Sequence, residues 1–285
     1  MANIEDLRTQ LIELTSSLGK AQKQVARLML ENFEAVAYMT ASELAERAGV
    51  HTATAIRLAQ RLGYEGYPQL QRAIRSTLSN YPRFLQSLET DHRSDSGTAI
   101  TETVFAHARR NLEQLSRSVS LEDLEKAADT LASAREVLVF GIGVVAPVVE
   151  YLGSSLRLLG IRTSTPRDFI CAAQQLALLS RGDVLVVIDF HRYYRAIPEV
   201  ASAAARKRVE VIALTDSEVS PLVSTSDLAL FVPSDSPAPR TSLLPALAMV
   251  EALLSLAARV GQERARDSMR LIDDSYTDLH VFVDT

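Results

Sequence analysis

Two short stretches of this 285-residue chain carry residues whose types and spacing could do chemistry. The first is Asp189-Phe-His-Arg-Tyr-Tyr-Arg195, which sets His191, Arg192, Tyr193, Tyr194 and Arg195 side by side. A guanidinium can clamp a carboxylate or phosphate through two parallel hydrogen bonds. Tyrosine and histidine add directional hydrogen bonds and flat apolar surface. The second stretch is Gly141-Ile-Gly143-Val-Val-Ala146, a tight glycine turn that opens a helix. A separate cluster lies upstream: Arg57, Arg61, Arg72 and Arg75 occur within nineteen residues that hold one acid, Glu65. Such a basic patch can bind phosphates although the whole chain carries a net charge of −5.

The elements that must position the first two stretches are readable. Val137–Phe140 is an unbroken apolar run, the pattern of a strand buried on both faces. After the glycine turn, Val148, Val149, Leu152, Leu156 and Leu159 follow a helical period that ends at Gly160. Strand and helix then alternate, with strands expected at 136–140, 161–164, 183–188, 209–214 and 227–231. Helices are expected at 101–119, 121–134, 146–159, 168–179, 195–206 and 241–259. This order implies right-handed crossovers and a doubly wound, flavodoxin-like parallel sheet of five strands. Its ligand crevice should lie between the carboxyl ends of the first and third strands, where both stretches fall. Arg240 and Ser242 open the last helix and could reach the same crevice, since a helix N-terminus favours anions.

The basic cluster belongs to a helical first part. Apolar spacing predicts helices from about Ile4 to Leu18 and from Ala21 to Asn32. Thr40-Ala-Ser-Glu43 reads as a capping box that starts a helix ending at Gly49. Another helix runs from Thr52 to Leu62, with Ala55, Ile56, Ala59 and Leu62 as its packing stripe, and Pro68 begins a fifth. Two short helices joined by a glycine-containing turn fit a helix-turn-helix. Periodicity alone also allows a plain helical subdomain with a solvated arginine face.

The stretch LAERAGVHTATAIRLAQRLGYEGYPQLQRAI resembles the DNA-binding domain of RpiR-type bacterial regulators. The resemblance covers the helix pair, an arginine in its second helix and the LG-aromatic-x-G-aromatic continuation. It implies DNA contacts from His51, Thr52, Thr54, Arg57, Gln60, Arg61 and Tyr67. His51 departs from the family's usual serine, and Thr52 can supply the hydroxyl. The second part resembles the SIS (sugar isomerase) fold, the effector half expected of such a regulator. SIS domains that bind sugar phosphates usually show a serine after the G-x-G turn and an S-x-S-G-x-T loop after the third strand. Here Val145 takes the serine place, and the loop holds His191, Arg192, Tyr193 and Arg195. Three readings of that loop stay open: a different anionic ligand, a sugar phosphate gripped by arginine, or a degenerate site that serves a dimer interface. The residues expected to line an effector site are Gly141, Gly143, Val145, His191, Arg192, Tyr193, Arg195, Arg240 and Ser242.

The organisation expected is an all-α DNA-binding domain at 1–80, a linker at 81–100 containing His92, and an α/β effector and dimerisation domain at 101–285. The charge supports two unlike halves, because residues 1–80 hold 9 basic and 8 acidic side chains while the remainder is acidic. One cysteine, Cys171, excludes an internal disulfide, and five scattered histidines show no zinc spacing. No metal or cofactor is expected, the third glycine of a dinucleotide fingerprint being Ala146. No apolar run spans a membrane and the first residues lack a signal segment, so a cytoplasmic location follows as the default. The expected function is regulation of a catabolic operon, as a homodimer or homotetramer on near-palindromic double-stranded DNA, under control of a small anionic metabolite. The alternative is a sugar-phosphate isomerase with a helical extension. It would need a general base, for which Glu150 and His191 are the nearby candidates, and a phosphate grip.

Overall fold

The computed structural model describes residues 4–31, 33–78 and 97–283. The chain divides into two compact units, residues 1–96 and 97–285. His92 and most of the expected linker lie outside the described residues.

The first unit holds α1 (Ile4–Thr15), α2 (Lys20–Glu31), α3 (Phe33–Tyr38), α4 (Ala41–Arg47), α5 (Thr52–Arg61) and α6 (Tyr67–Leu78). The apolar period of each helix supplies one core, with Leu7, Leu11, Val25, Met29, Leu44, Leu58, Leu70 and Ile74 fully buried. Helix α3 was not apparent from the sequence because only six residues form it, yet Phe33, Val36 and Ala37 are buried.

The second unit opens with α7 (Gly97–Ser118) and α8 (Leu121–Ser133). Helix α7 begins four residues before the expected 101, inside the expected linker. Then come β1 (Val137–Phe140), α9 (Ala146–Leu158), β2 (Thr163–Ser164), α10 (Phe169–Leu178), β3 (Val184–Ile188), α11 (Ala196–Arg206), β4 (Glu210–Thr215), β5 (Leu228–Phe231), α12 (Leu244–Val260) and α13 (Gln262–Asp278). The sheet order is β2-β1-β3-β4-β5 and every pairing is parallel. Strand order therefore reverses between β1 and β3, where the sequence puts the crevice. Alternate residues of β1, β3 and β4 feed two cores. Val137, Val139, Val186, Ile188 and Leu214 pack with residues of α8, α9 and α12. Leu138, Phe140, Leu185, Val187 and Ala213 pack with residues of α10 and α11. At the amino end of the sheet Arg135 donates to both oxygens of buried Asp183, at 2.8 and 2.6 Å, and holds that carboxyl below the usual range. Helix α13 was not read from the sequence, because its polar residues leave only Ala265 buried. Among the described residues no single helix is long and apolar enough to cross a membrane.

Candidate nucleic-acid interface and effector crevice

Helix α4 starts as its sequence implies. The Glu43 N–H donates to Thr40 Oγ1 at 3.2 Å, and the Thr40 N–H donates to Glu43 Oε2 at 2.6 Å. These bonds hold the Glu43 carboxyl below its ordinary value. The turn into α5 uses Gly49 at φ +64°, a backbone angle that glycine adopts without steric cost. Ala55, Leu58, Ala59 and Leu62 face inward. His51, Ala53, Ile56, Arg57, Gln60 and Arg61 are exposed, and Thr52 and Thr54 are half-buried. The Thr52 and Ser42 hydroxyls, on α5 and α4, lie 3.4 Å apart.

The structure moves three residues from the places expected of them. Ile56 is 37% exposed, and Leu58 fills the core position assigned to it. The expected stripe counted apolar residues at helical spacing, and two such stripes fit this sequence. Tyr67 is buried, with its hydroxyl 2.9 Å from the Met39 carbonyl and 3.2 Å from that of Val36, so it braces the unit internally and presents nothing to DNA. Arg61 donates to Ser17 O at 3.3 Å, Ser17 Oγ at 3.0 Å and Gln22 Oε1 at 3.2 Å. It ties α5 to the junction of α1 and α2, although it remains solvent-exposed.

In the second unit, the end of β1 and the loop after β3 meet at the switch point. Gly141 is buried, and a Cβ there would lie 2.6 Å from the Ile188 carbonyl, so only glycine permits this approach of the two strand ends. Gly143 has φ +69° and begins a single helical turn, Gly143–Val145, that leads into α9. The Tyr194 phenol lies directly over Gly143, in the space that a side chain there would occupy.

The loop is fastened by two aspartates. Buried Asp189 ends β3 and accepts the Tyr194 N–H at 2.7 Å. Burial, with the neighbouring Asp216 charge adding to it, pushes the Asp189 carboxyl up to about 8, against the opposing effect of that hydrogen bond. Asp216 follows β4. It accepts the His191 N–H at 2.9 Å, the Tyr193 hydroxyl at 2.7 Å and the Ser234 hydroxyl at 2.9 Å. The His191 and Tyr193 rings meet edge to face, 6.1 Å apart.

Several expected site residues do not meet in this crevice. Val145 is fully buried among core residues, and its side chain packs beside Gly141 instead of opening to solvent. Arg195 has a side chain that is 95% exposed and pairs with Glu199 at 3.2 Å one helical turn along. Arg192 is exposed, at φ +28°. Arg240 is exposed and precedes α12, which starts at Leu244 and not at 241. Ser242 spends its N–H on the Ser234 carbonyl at 3.0 Å. Gly141, Gly143, His191 and Tyr193 do stand at the crevice with Tyr194 of the same stretch, joined by Asp189, Asp216 and Ser234, which sequence reasoning did not select. A signal for two of them was present: an aspartate directly after a buried apolar strand, as at Asp189 and Asp216, must find hydrogen-bond donors.

The first unit is thus a helix-turn-helix module, and the second is a parallel α/β sandwich of the SIS type. Residues 5–81 match the family described as "Helix-turn-helix domain, rpiR family", and residues 130–256 match "SIS domain". The HTH-type transcriptional regulator HexR of Pseudomonas aeruginosa is 26% identical over 255 residues, 88% of each chain. The sugar isomerase domain of the RpiR transcription factor from Sphaerobacter thermophilus is 31% identical, with a TM-score of 0.58, over 60% of this chain and 96% of that one. The Vibrio vulnificus NanR protein complexed with ManNAc-6P shares the fold at 22% identity and a TM-score of 0.69, over 96% of this chain and 98% of that one. The chain belongs to the RpiR family and is a DNA-binding transcriptional regulator with a C-terminal SIS domain.

Proposed function

We propose that this regulator controls a catabolic operon from the cytoplasm, as a homodimer or homotetramer on a near-palindromic operator, and that a small anionic metabolite switches it. The observation that carries the DNA-binding part is the outward face of α5, where Arg57 and Gln60 stand clear of the core. A helix so exposed, braced from behind by α4, can enter a major groove. Two copies on one operator would give it two-fold symmetry.

The anionic effector, a sugar phosphate or a carboxylate, would enter above Gly143. The backbone N–H groups that open α9 suit a negative charge there, and the loop that covers Gly143 carries Arg192. The sugar phosphate bound by NanR supports this reading. Entry requires the Tyr194 phenol to leave Gly143, so effector binding and rearrangement of the 189–195 loop are one event. We favour a regulator without catalysis. Glu150, a candidate base for an isomerase, is held by Arg157 at 3.1 Å and by the Thr165 hydroxyl at 2.9 Å on the exposed side of α9.

The test is anisotropy titration of the full chain on its upstream DNA, with and without a panel of sugar phosphates, sugar acids and small carboxylates. A member of the panel should change the DNA affinity and raise the melting temperature of the protein. Failure of wild-type protein to discriminate its upstream region from random duplex would refute the regulatory reading.

A further inference from the structure

Helix α5 turns outward more than an arginine. Ala53, Ile56, Arg57 and Gln60 are all exposed. Their spacing of three, four and seven residues puts them on one side of the helix. Ala55, Leu58, Ala59 and Leu62 occupy the other side, and Arg61 is drawn back to Ser17 and Gln22. The outward side therefore presents a guanidinium, a carboxamide, a methyl and the branched butyl group of Ile56.

An exposed isoleucine in the middle of a short polar helix face costs stability twice. Its β-branch lowers helix propensity, and over a third of its surface, 37%, stays in water. In the major groove such a side chain has one apolar partner, the C5-methyl of thymine. The neighbouring Gln60 matches the paired donor and acceptor of an adenine edge. Residues one turn apart on a helix are separated by about 6 Å along its axis. Base pairs are about 3.4 Å apart, so Ile56 and Gln60 together span about two base pairs. We infer that Ile56 is a specificity-determining residue that reads a thymine methyl, with an adenine read by Gln60 no more than about two base pairs away in each half-site.

This rests on the reading of α5 as the groove-facing helix, and the experiment separates the two. An operator is first selected from a random duplex library with the full-length protein. Each thymine of a half-site is then replaced singly by deoxyuridine, which removes only the C5-methyl. At one position the wild type should bind about fourfold more weakly, the value of one buried methyl group. Ile56→Ala should bind the thymine operator more weakly than wild type and show no further loss on deoxyuridine at that position. Ile56→Val, which keeps the branched methyls, should retain part of the sensitivity.

A wild type indifferent to deoxyuridine at every thymine overturns the inference and leaves the DNA-binding reading of α5 intact, provided Arg57→Ala still weakens binding. An Ile56→Ala protein as sensitive to deoxyuridine as the wild type also overturns it, because another residue then reads the methyl. If Arg57→Ala and Ile56→Ala both bind like wild type, α5 does not face DNA and both readings fall. The first outcome needs no variant of Ile56, so a variant that failed to fold would not spare the inference.

Discussion

Asp189 makes the stability of the second unit depend on pH in a direction opposite to that of most carboxylates. In the folded chain its pKa is pushed up to about 8, first by burial and then by the charge of Asp216. In the unfolded chain an aspartate titrates near 3.9. Between about pH 4 and pH 8 the folded state therefore holds a proton that the unfolded state has lost. The stabilisation is fully present below about pH 4 and is lost as pH rises through about 8. Each pH unit in that window is worth about 1.4 kcal/mol, so the whole shift has a ceiling of about 6 kcal/mol. Between pH 5 and pH 8 the ceiling is about 4 kcal/mol. For a unit of this size that corresponds to roughly 10 °C in melting temperature. Asp189→Asn keeps an oxygen to accept the Tyr194 N–H and removes the titration. Calorimetric scans of both proteins from pH 5 to 8.5 give a difference curve in which all shared titrations cancel. The wild type should lose stability relative to the variant as pH rises, in the transition of the C-terminal unit only. Parallel curves would refute the argument.

Four further expectations follow from single residues. Gly143→Ala should destabilise the protein by about 1–3 kcal/mol in urea titration, because φ +69° and the Tyr194 phenol both oppose a side chain; adding Tyr194→Ala should recover only the part due to the phenol. Arg61→Ala should lower the stability of the N-terminal unit by about 1 kcal/mol through its lost hydrogen bonds, while Arg57→Ala should instead cost about 1–3 kcal/mol of DNA affinity in anisotropy titrations. Thr40→Ala removes the capping box and should cost about 1 kcal/mol in thermal melts.

The frame of the protein was legible in its sequence because it depends on periodicity and punctuation. An unbroken run such as Val184–Ile188 has few alternatives to a central parallel strand, and Gly141 and Gly143 mark a turn that no other residue makes as readily. The capping box at Thr40 is a local arrangement and forms locally. What periodicity could not settle is which of two equivalent stripes faces inward. Both Ile56 and Leu58 fit a helical stripe, and only the position of α4 and the other helices against α5 decides between them. Arg195 misled for a related reason. Residue type shows what its guanidinium can bind, whereas its direction follows from the start of α11, which places Glu199 one turn beyond it. Tyr67 is the same case, since an aromatic ring with a hydroxyl reads equally well as a DNA contact or as a core residue whose oxygen finds a carbonyl. Asp189 and Asp216 were not selected from the sequence, yet they organise the loop.

Those two carboxylates set a condition on the proposed effector. An anion above Gly143 lies close to the group that fastens the loop, because Tyr194 covers Gly143 with its ring and binds Asp189 through its N–H. With Asp189 protonated, the floor of the crevice carries one negative charge fewer, and an anion is tolerated. Once the pH passes about 8 that charge appears. Two like charges on the order of 6 Å apart repel by about 3 kcal/mol at an effective dielectric constant of about 20, or about a hundredfold in affinity. Effector affinity should therefore fall above pH 8, by no more than tenfold per pH unit, towards that limit. A phosphate monoester has its second ionisation near pH 6, so its own charge is constant between pH 7.5 and 9. Calorimetric titration over that range tests the coupling. Asp189→Asn should bind with an affinity independent of pH. A wild type that holds its affinity to pH 9, or a variant that loses it equally, would show that the anion is not seated beside Asp189, and the effector site would have to be sought away from the Gly143 turn.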